Sequence, residues 1–369
     1  MNLNNSDKIW LEEFWSKFEK KHEVSAKTQF ANIPYTTDKD GKYDHASEYN
    51  ISQWTNGFFG GMMWLMYKET GKEVYKATAE NHEKMLDEVL LHSFDKLDHD
   101  VGFIWQLTAK ASYDCTGNTE SRNRALIAAT TLASRYNIRA NFIKAWNHVP
   151  YSIIDTMMNL PTLYWASEQT EDMRFSYIAQ AHADMVIRDH IRKDGSVVHM
   201  IEHKTDKDEI VCDFGGQGYC QGSTWTRGCA WALYGFMLSY LYTKEERYLN
   251  TCKNVADYFA KMVAKNNYKT PTDFDQPETP AYIDNSAGAI ASCGLIELYK
   301  ATNDEKYLSC AIQVLKALEE DCIFDSSCDS ILQKGMEAYK SGESKHLVYA
   351  DFFLCEALLK LKGSDYIIW

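Results

Sequence analysis

The chain has 369 residues, 45% of them apolar and 13% aromatic, which supports a sizeable packed core and excludes a disordered or fibrous class. Its 52 acidic and 39 basic side chains leave a net charge of −13, a field that repels long polyanions and argues against nucleic acid as a partner. Apolar runs such as Cys229 to Tyr242 fall short of the ~20 residues a bilayer-spanning helix needs, so no membrane insertion is expected.

The first 24 residues lack a basic start and an uninterrupted apolar stretch, so no signal peptide is predicted. Trp10, Leu11, Phe14, Trp15 and Phe18 instead mark an amphipathic helix. Ten cysteines are scattered without a C-x-x-C pair, which points to reduced thiols and a cytoplasmic setting. Further along, an apolar helix, a short polar loop and an aromatic-led second helix recur at 64–80, 132–147, 163–183, 238–256 and 295–315. Tyr75, Phe142, Tyr177, Tyr248 and Tyr307 are the aromatic markers, and the apolar segment 347–361 is expected to pair with the N-terminal helix and close the set. Spacings of roughly 35 to 70 residues are too irregular for a tetratricopeptide-type array. The pattern predicts an all-α fold, a closed six-hairpin α/α toroid, formed as a single domain over residues 1–369.

Five loops that precede first helices carry polar residues among aromatics: 52–61, 97–105, 152–161, 215–231 and 281–289. Each alone reads as a cap or a turn. Together they bring acids, amides, an arginine and tryptophans to equivalent ends of successive hairpins, as expected where loops converge on one site. Asp155 lies shortly ahead of Pro161, which is best tolerated in a first helical turn, so the acid belongs at or before a helix start. The helix dipole there favours its ionised form, while an apolar setting and a second carboxylate, naturally Asp100, favour the protonated one. Two close acids do not both ionise cheaply, so one is expected to keep a proton near neutrality.

Trp54, Trp105, Trp146, Trp225 and Trp231 suit either an ordinary core or the flat walls of a sugar site. Arg227, flanked by apolar helix, requires an anionic partner, either a structural aspartate or a substrate carboxylate. His199, Glu202 and His203 match an H-x-x-E-H zinc pattern, but they follow a turn and a short strand, so no metal is expected. His199 by itself stays a candidate contact for a sugar or carboxylate.

At these positions the chain resembles the unsaturated glucuronyl hydrolases, glycoside hydrolase family 88. The carriers are HDVGF (99–103), DTMMNLPTLYWAS (155–167), DGSVVH (194–199), GGQGY (215–219), GSTWTRGCAWALYGF (222–236) and DNSAGAIA (284–291), in one order from about residue 52 to residue 358. The resemblance implies a six-hairpin toroid with its site at the N-terminal ends of the inner helices. It implies exo-acting removal of a 4,5-unsaturated glucuronic acid from lyase-generated glycosaminoglycan oligosaccharides, by hydration of the C4=C5 vinyl ether and without a cofactor. Asp155 matches the general acid/base, and Asp100 the second essential acid, which tunes it. Gln217 and His199 match residues near the water and ring, and Arg227 a substrate contact. Trp54, Trp146, Trp225 and Trp231 match the aromatic walls, with Asn56 and His99 as further substrate contacts. A Ser-x-x-Ser-x-Lys motif that reads sulfate in some members has Ser341 and Ser344 in place, but His346 fills the lysine slot and Lys345 comes one position early. An unsaturated galacturonyl hydrolase and a non-catalytic sugar-binding toroid are the alternatives.

Overall fold

The structure is a computed structural model describing residues 1 and 3–369. Helix α1 (Asn5–Thr28) starts at Asn4, whose side chain accepts the Asp7 N–H at 2.8 Å, and buries Leu11, Phe14, Trp15 and Phe18 along one stripe. The short α2 (Ala46–Tyr49) interrupts the loop to α3 (Phe58–Thr70), which pairs with α4 (Glu73–Met85); α5 (Asp87–His92) follows. Helix α6 (Val101–Trp105) passes through a π-helical turn, Gln106–Lys110, into α7 (Ala111–Thr116), and this broken rod packs on α8 (Thr119–Ser134). The remaining hairpins are α9 (Leu160–Thr170) with α10 (Met173–Asp189), α11 (Thr226–Thr243) with α12 (Glu246–Lys265), and α13 (Asn285–Thr302) with α14 (Glu305–Glu319). Helix α15 (Val348–Lys362) packs on α1, α3 and α13 and so closes the ring.

The layers follow from hydropathy. Helices α11, α13 and α15 are buried on nearly every side, whereas α12 buries only the stripe Tyr248, Leu249, Cys252, Val255, Ala256, Phe259 and Val263. Among the described residues, α3, α6–α7, α9, α11, α13 and α15 form the inner ring and α1, α4, α8, α10, α12 and α14 the outer one, as the six-hairpin reading expects. Trp369 fills the centre of the ring. Its ring stacks on Phe353 at 5.5 Å and also meets Phe58 and Phe103, and its indole N–H donates to Glu356.

One expected hairpin is different. Segment 132–147 is not helix–loop–helix: α8 ends at Ser134, and β1 (Tyr136–Asn137) pairs antiparallel with β2 (Phe142–Ile143). The Asn137 side chain accepts the Arg139 and Ala140 N–H groups, and Asn141 takes a left-handed φ of 57°, so the chain turns back after one short strand. The actual inner partner of α8 is the π-interrupted rod before it, which ends at Gly117 with φ 73°. A second sheet orders β3 (Tyr151–Ile153), β4 (Met200–His203) and β5 (Ile210–Phe214), all antiparallel, beside the start of α9. No helix among the described residues is long and apolar enough to cross a membrane.

Candidate active site

Asp155 sits in a 3-10 turn, Ile154–Met158, between β3 and α9, and Pro161 occupies the first turn of that helix. The β3–β4 ladder continues one step further, as the Ile154 N–H donates to the His199 carbonyl at 3.1 Å, and this brings the imidazole beside the carboxylate. His199 Nδ1 accepts the Gln217 N–H at 3.0 Å, so the proton of the neutral ring lies on Nε2, 3.4 Å from Asp155 Oδ2. Both of these facing atoms are buried, and neither finds a well-formed hydrogen bond among the described residues. Gly216 lets the chain pass under the ring: its φ is +56°, and a Cβ there would collide with His199 Nδ1. The Trp225 ring packs 4.2 Å from that imidazole.

Asp100 heads α6. Its backbone N–H donates to Asp98 Oδ1 at 2.9 Å, and its Oδ2 lies 3.5 Å from His99 Nε2. The other nitrogen of His99 pairs with Thr156 Oγ1 at 2.9 Å, next to Asp155, so one buried imidazole links the two acids. Asn159 ties the same elements together, accepting the Phe103 N–H at 2.9 Å and donating to the Asp155 carbonyl at 3.4 Å.

The charges divide unequally. Burial, with Asp98 and Asp155 nearby, pushes Asp100 well above the usual carboxylate range, against the pull of Arg135 and Asn159. Burial acts on Asp155 in the same direction, but His199, His99 and Arg227 together outweigh it and hold that carboxyl below its ordinary value. The opposite directions of the two shifts favour the charge on Asp155 and the retained proton on Asp100. The sequence reading left open which of the two acids keeps the proton; His199, His99 and Arg227 around Asp155 decide it.

Trp54, Asp98, Asp100 and Trp146 line a cavity of about 130 Å³ together with Ser52 and Lys96. Asp98, His99 and Asp100 also bring three potential metal-ligating atoms within 4.8 Å of one another, although one nitrogen of His99 is committed to Thr156. The H-x-x-E-H segment runs into β4, where His203 stacks on Phe142 at 4.3 Å and pairs with Ser152 Oγ, so the two histidines do not share a helix face.

Several expected contacts are placed differently. Asn56 is fully buried and donates to the Asn50 and Ile51 carbonyls at 3.0 and 2.8 Å, bracing its own loop. Trp105 and Trp231 have no exposed surface; Trp231 packs on Phe103 and Phe353, and its indole N–H has no partner among the described residues. Of the two partners open to Arg227, the structural acid is the one present: Nη1 pairs with Asp284, while Nη2 donates to the Glu337 carbonyl at 2.8 Å. The Gln217 amide donates to that same carbonyl at 2.6 Å. Ser341 and Ser344 are exposed, and the Ser341 hydroxyl donates to the Ala338 carbonyl. Lys345 Nζ donates to Glu337 Oε2 at 2.8 Å, and His346 turns inward to Thr37 Oγ1 at 2.7 Å.

Sequence reasoning missed Thr156 and Asn159, although both lie within the segment that holds Asp155. It also missed Glu337, whose sequence neighbourhood carries no signal of its role.

A closed α/α toroid with two neighbouring carboxylates and an imidazole at the heads of its inner helices fits a class of carbohydrate-active enzyme. No protein-family model matches the chain. It is 32% identical over 347 residues to the unsaturated glucuronyl hydrolase of Bacillus sp. (strain GL1), covering 89% of this chain and 91% of that one. It is 28% identical over 343 residues to the unsaturated chondroitin disaccharide hydrolase of Streptococcus pyogenes serotype M1, covering 89% and 85%. Its fold matches the crystal structure of the Bacillus sp. GL1 enzyme with a TM-score of 0.89 at 30% identity, over 96% of this chain and 97% of that one. The chain belongs to the unsaturated glucuronyl hydrolase family and is a glycoside hydrolase of the (α/α)6 type.

Proposed function

We propose that the chain removes a 4,5-unsaturated glucuronic acid from the non-reducing end of glycosaminoglycan fragments left by lyases, by adding water across the C4=C5 bond. The observation that carries this reading is the facing pair Asp155 Oδ2 and His199 Nε2, buried and without a well-formed hydrogen bond, beside a carboxyl group that keeps its proton. Asp155 protonates C4, and the charge that develops at C5 is shared by the ring oxygen. The resulting carboxylate takes a proton from the water that adds at C5, which returns Asp155 to the protonated form it holds in the substrate complex. The hemiketal then opens, releasing a keto acid and the shortened sugar. Asp155 is ionised before substrate arrives, because His199, His99 and Arg227 favour its charge. A substrate carboxylate entering this group of charges offsets them and loads the proton onto Asp155. Trp54 and Trp146 offer ring faces to the sugar, whereas Trp225 is buried between His199 and Arg227 and backs the imidazole; Asp100 and Gln217 offer hydrogen bonds, and the scheme needs no cofactor.

The leaving sugar is proposed to be read near Lys345. Because the Lys345 ammonium is already held by Glu337, a sulfate there gains little, and unsulfated fragments are the preferred class. Residues 1–369 are read as one catalytic unit.

The test uses unsaturated chondroitin, hyaluronan and heparin disaccharides, sulfated and unsulfated, followed by the ultraviolet absorbance of the conjugated double bond. Loss of absorbance with wild type but not with Asp155→Asn is expected, with unsulfated substrates turned over faster. Unchanged absorbance on every glucuronyl substrate overturns the reading.

A further inference from the structure

On the outer wall, a cleft of about 630 Å³ lies between α1 and the segment 324–329, and it shares no lining residue with the cavity at Trp54, Asp100 and Trp146. In a chain of net charge −13, its lining holds four lysines, Lys17, Lys20 and Lys21 from α1 and Lys42 from the loop before α3, against two acids, Asp325 and Asp329. Where each ammonium goes decides what the cleft offers. Lys42 is matched by Asp329 at 2.9 Å. Lys17 lies 3.6 Å from Glu319 and 5.5 Å over the Phe324 ring, a loose arrangement on an exposed stem. Lys20 is exposed at the rim. Lys21 donates to the carbonyl oxygens of Ile323 at 2.6 Å and Ser330 at 3.1 Å, so its donors meet neutral acceptors where a carboxylate would be expected. Burial pushes the Lys21 ammonium down, and an anion in the cleft would offset that cost.

The remaining surface is apolar or hydroxylic. Val24 is 61% exposed and Phe324 presents a half-buried ring, while the Ser25 and Thr28 hydroxyls beside them donate to the Lys21 and Ser25 carbonyls. Apolar surface at Val24 and Phe324 and a lysine-rich lining, in a volume within the roughly 300–1,000 Å³ of small-molecule sites, match a sugar that carries negative charge. The overall acidic field disfavours a long polyanion, so a short chain fits best.

We propose that the cleft between α1 and segment 324–329 is a second binding site for a short carboxylated or sulfated oligosaccharide, separate from the pocket at Asp155. The choice of an acidic sugar rests on the proposed function, since such fragments are what the enzyme meets.

The experiment titrates the whole protein calorimetrically with a saturated chondroitin tetrasaccharide, which has no C4=C5 bond to hydrate. Two classes of binding are expected in wild type. Lys17→Glu with Lys20→Glu is expected to weaken one of them by at least about tenfold, the scale of a lost charge-assisted contact, and to leave the other unchanged. Turnover of unsaturated disaccharides should be unaltered in that variant, which also shows that it folds. Binding unaltered by the two substitutions overturns the proposal. Equal affinity for a neutral oligosaccharide, or equal competition by inorganic sulfate, overturns the acidic-sugar assignment. Absence of turnover in wild type would count against the proposed function alone, because the binding comparison does not depend on it.

Discussion

Around Asp155 the chemistry is decided by which charges the fold gathers. His199, His99 and Arg227 favour the ionised Asp155, whereas burial, with Asp98 and Asp155 nearby, favours the protonated Asp100. Under the proposed mechanism, substrate binding must load a proton onto Asp155. Calorimetric titration near neutral pH in two buffers of different ionisation enthalpy should therefore show proton uptake in wild type and none in Asp155→Asn. The same substitution should lower kcat by about 10²–10⁴-fold, the usual scale for a positioned acid or base, in the absorbance assay. At the mouth, Glu337→Gln should free Lys345 and raise the kcat/KM ratio of sulfated over unsulfated disaccharide by about threefold to tenfold, on the scale of one partly exposed ion pair. An unchanged ratio would remove Glu337 from the specificity argument. Asp155 stood out in the sequence because it lies ahead of a first-turn proline in a segment that resembles a family motif, although an acid in that place also reads as a helix cap. Its charge state was not, since it depends on His199 and Arg227, which reach it only through the fold.

At the level of elements, the site depends on a small sheet that helical periodicity does not announce. β3 and β4 are three and four residues long, and their pairing sets His199 against Asp155. The glycine-rich segment then supplies the Gln217 N–H that fixes the imidazole tautomer. Gly216→Ala would place a methyl group against His199 Nδ1 from a left-handed backbone. It should cut kcat/KM by about 10²-fold, the usual consequence of displacing a catalytic group by about 1 Å, while far-ultraviolet circular dichroism stays unchanged. Equal activity in the variant would show that the His199 position is not critical. The hairpin misread at 132–147 has a related cause. Leu132 and Phe142 look like helix and marker, but Asn137 and Asn141 close a strand turn through side-chain and left-handed backbone geometry that hydropathy does not register.

For the whole molecule, ring closure and the central plug are the features that matter. Trp369 touches Phe58 and Phe103, which follow Trp54 and Asp100 in the chain, so the tail supports the site from beneath. Trp369→Ala should cost about 3–5 kcal/mol by leaving a cavity against Phe353, read as a lower urea midpoint. An unaltered midpoint would mean that the ring closes without the tail. Acid–base linkage offers a second global readout. Asp100 is protonated in the fold at pH values above its ordinary value of 3.8, where the unfolded chain has ionised it, so the native state binds the extra proton. The stability this contributes is complete below 3.8 and is lost as pH rises through the raised native value. Asp100→Asn cannot ionise, so its stability relative to wild type should increase with pH over that window, read as urea midpoints of the two proteins across the pH range. The helical hairpins at 64–80, 163–183, 238–256 and 295–315 could be read from residue order, because a period of 3.6 and a capped turn are local properties. The core position of Trp231, the pairing of Arg227 with Asp284 and the division of charge between Asp100 and Asp155 could not. They are set by contacts between residues tens of positions apart, and such contacts exist only once the ring has closed.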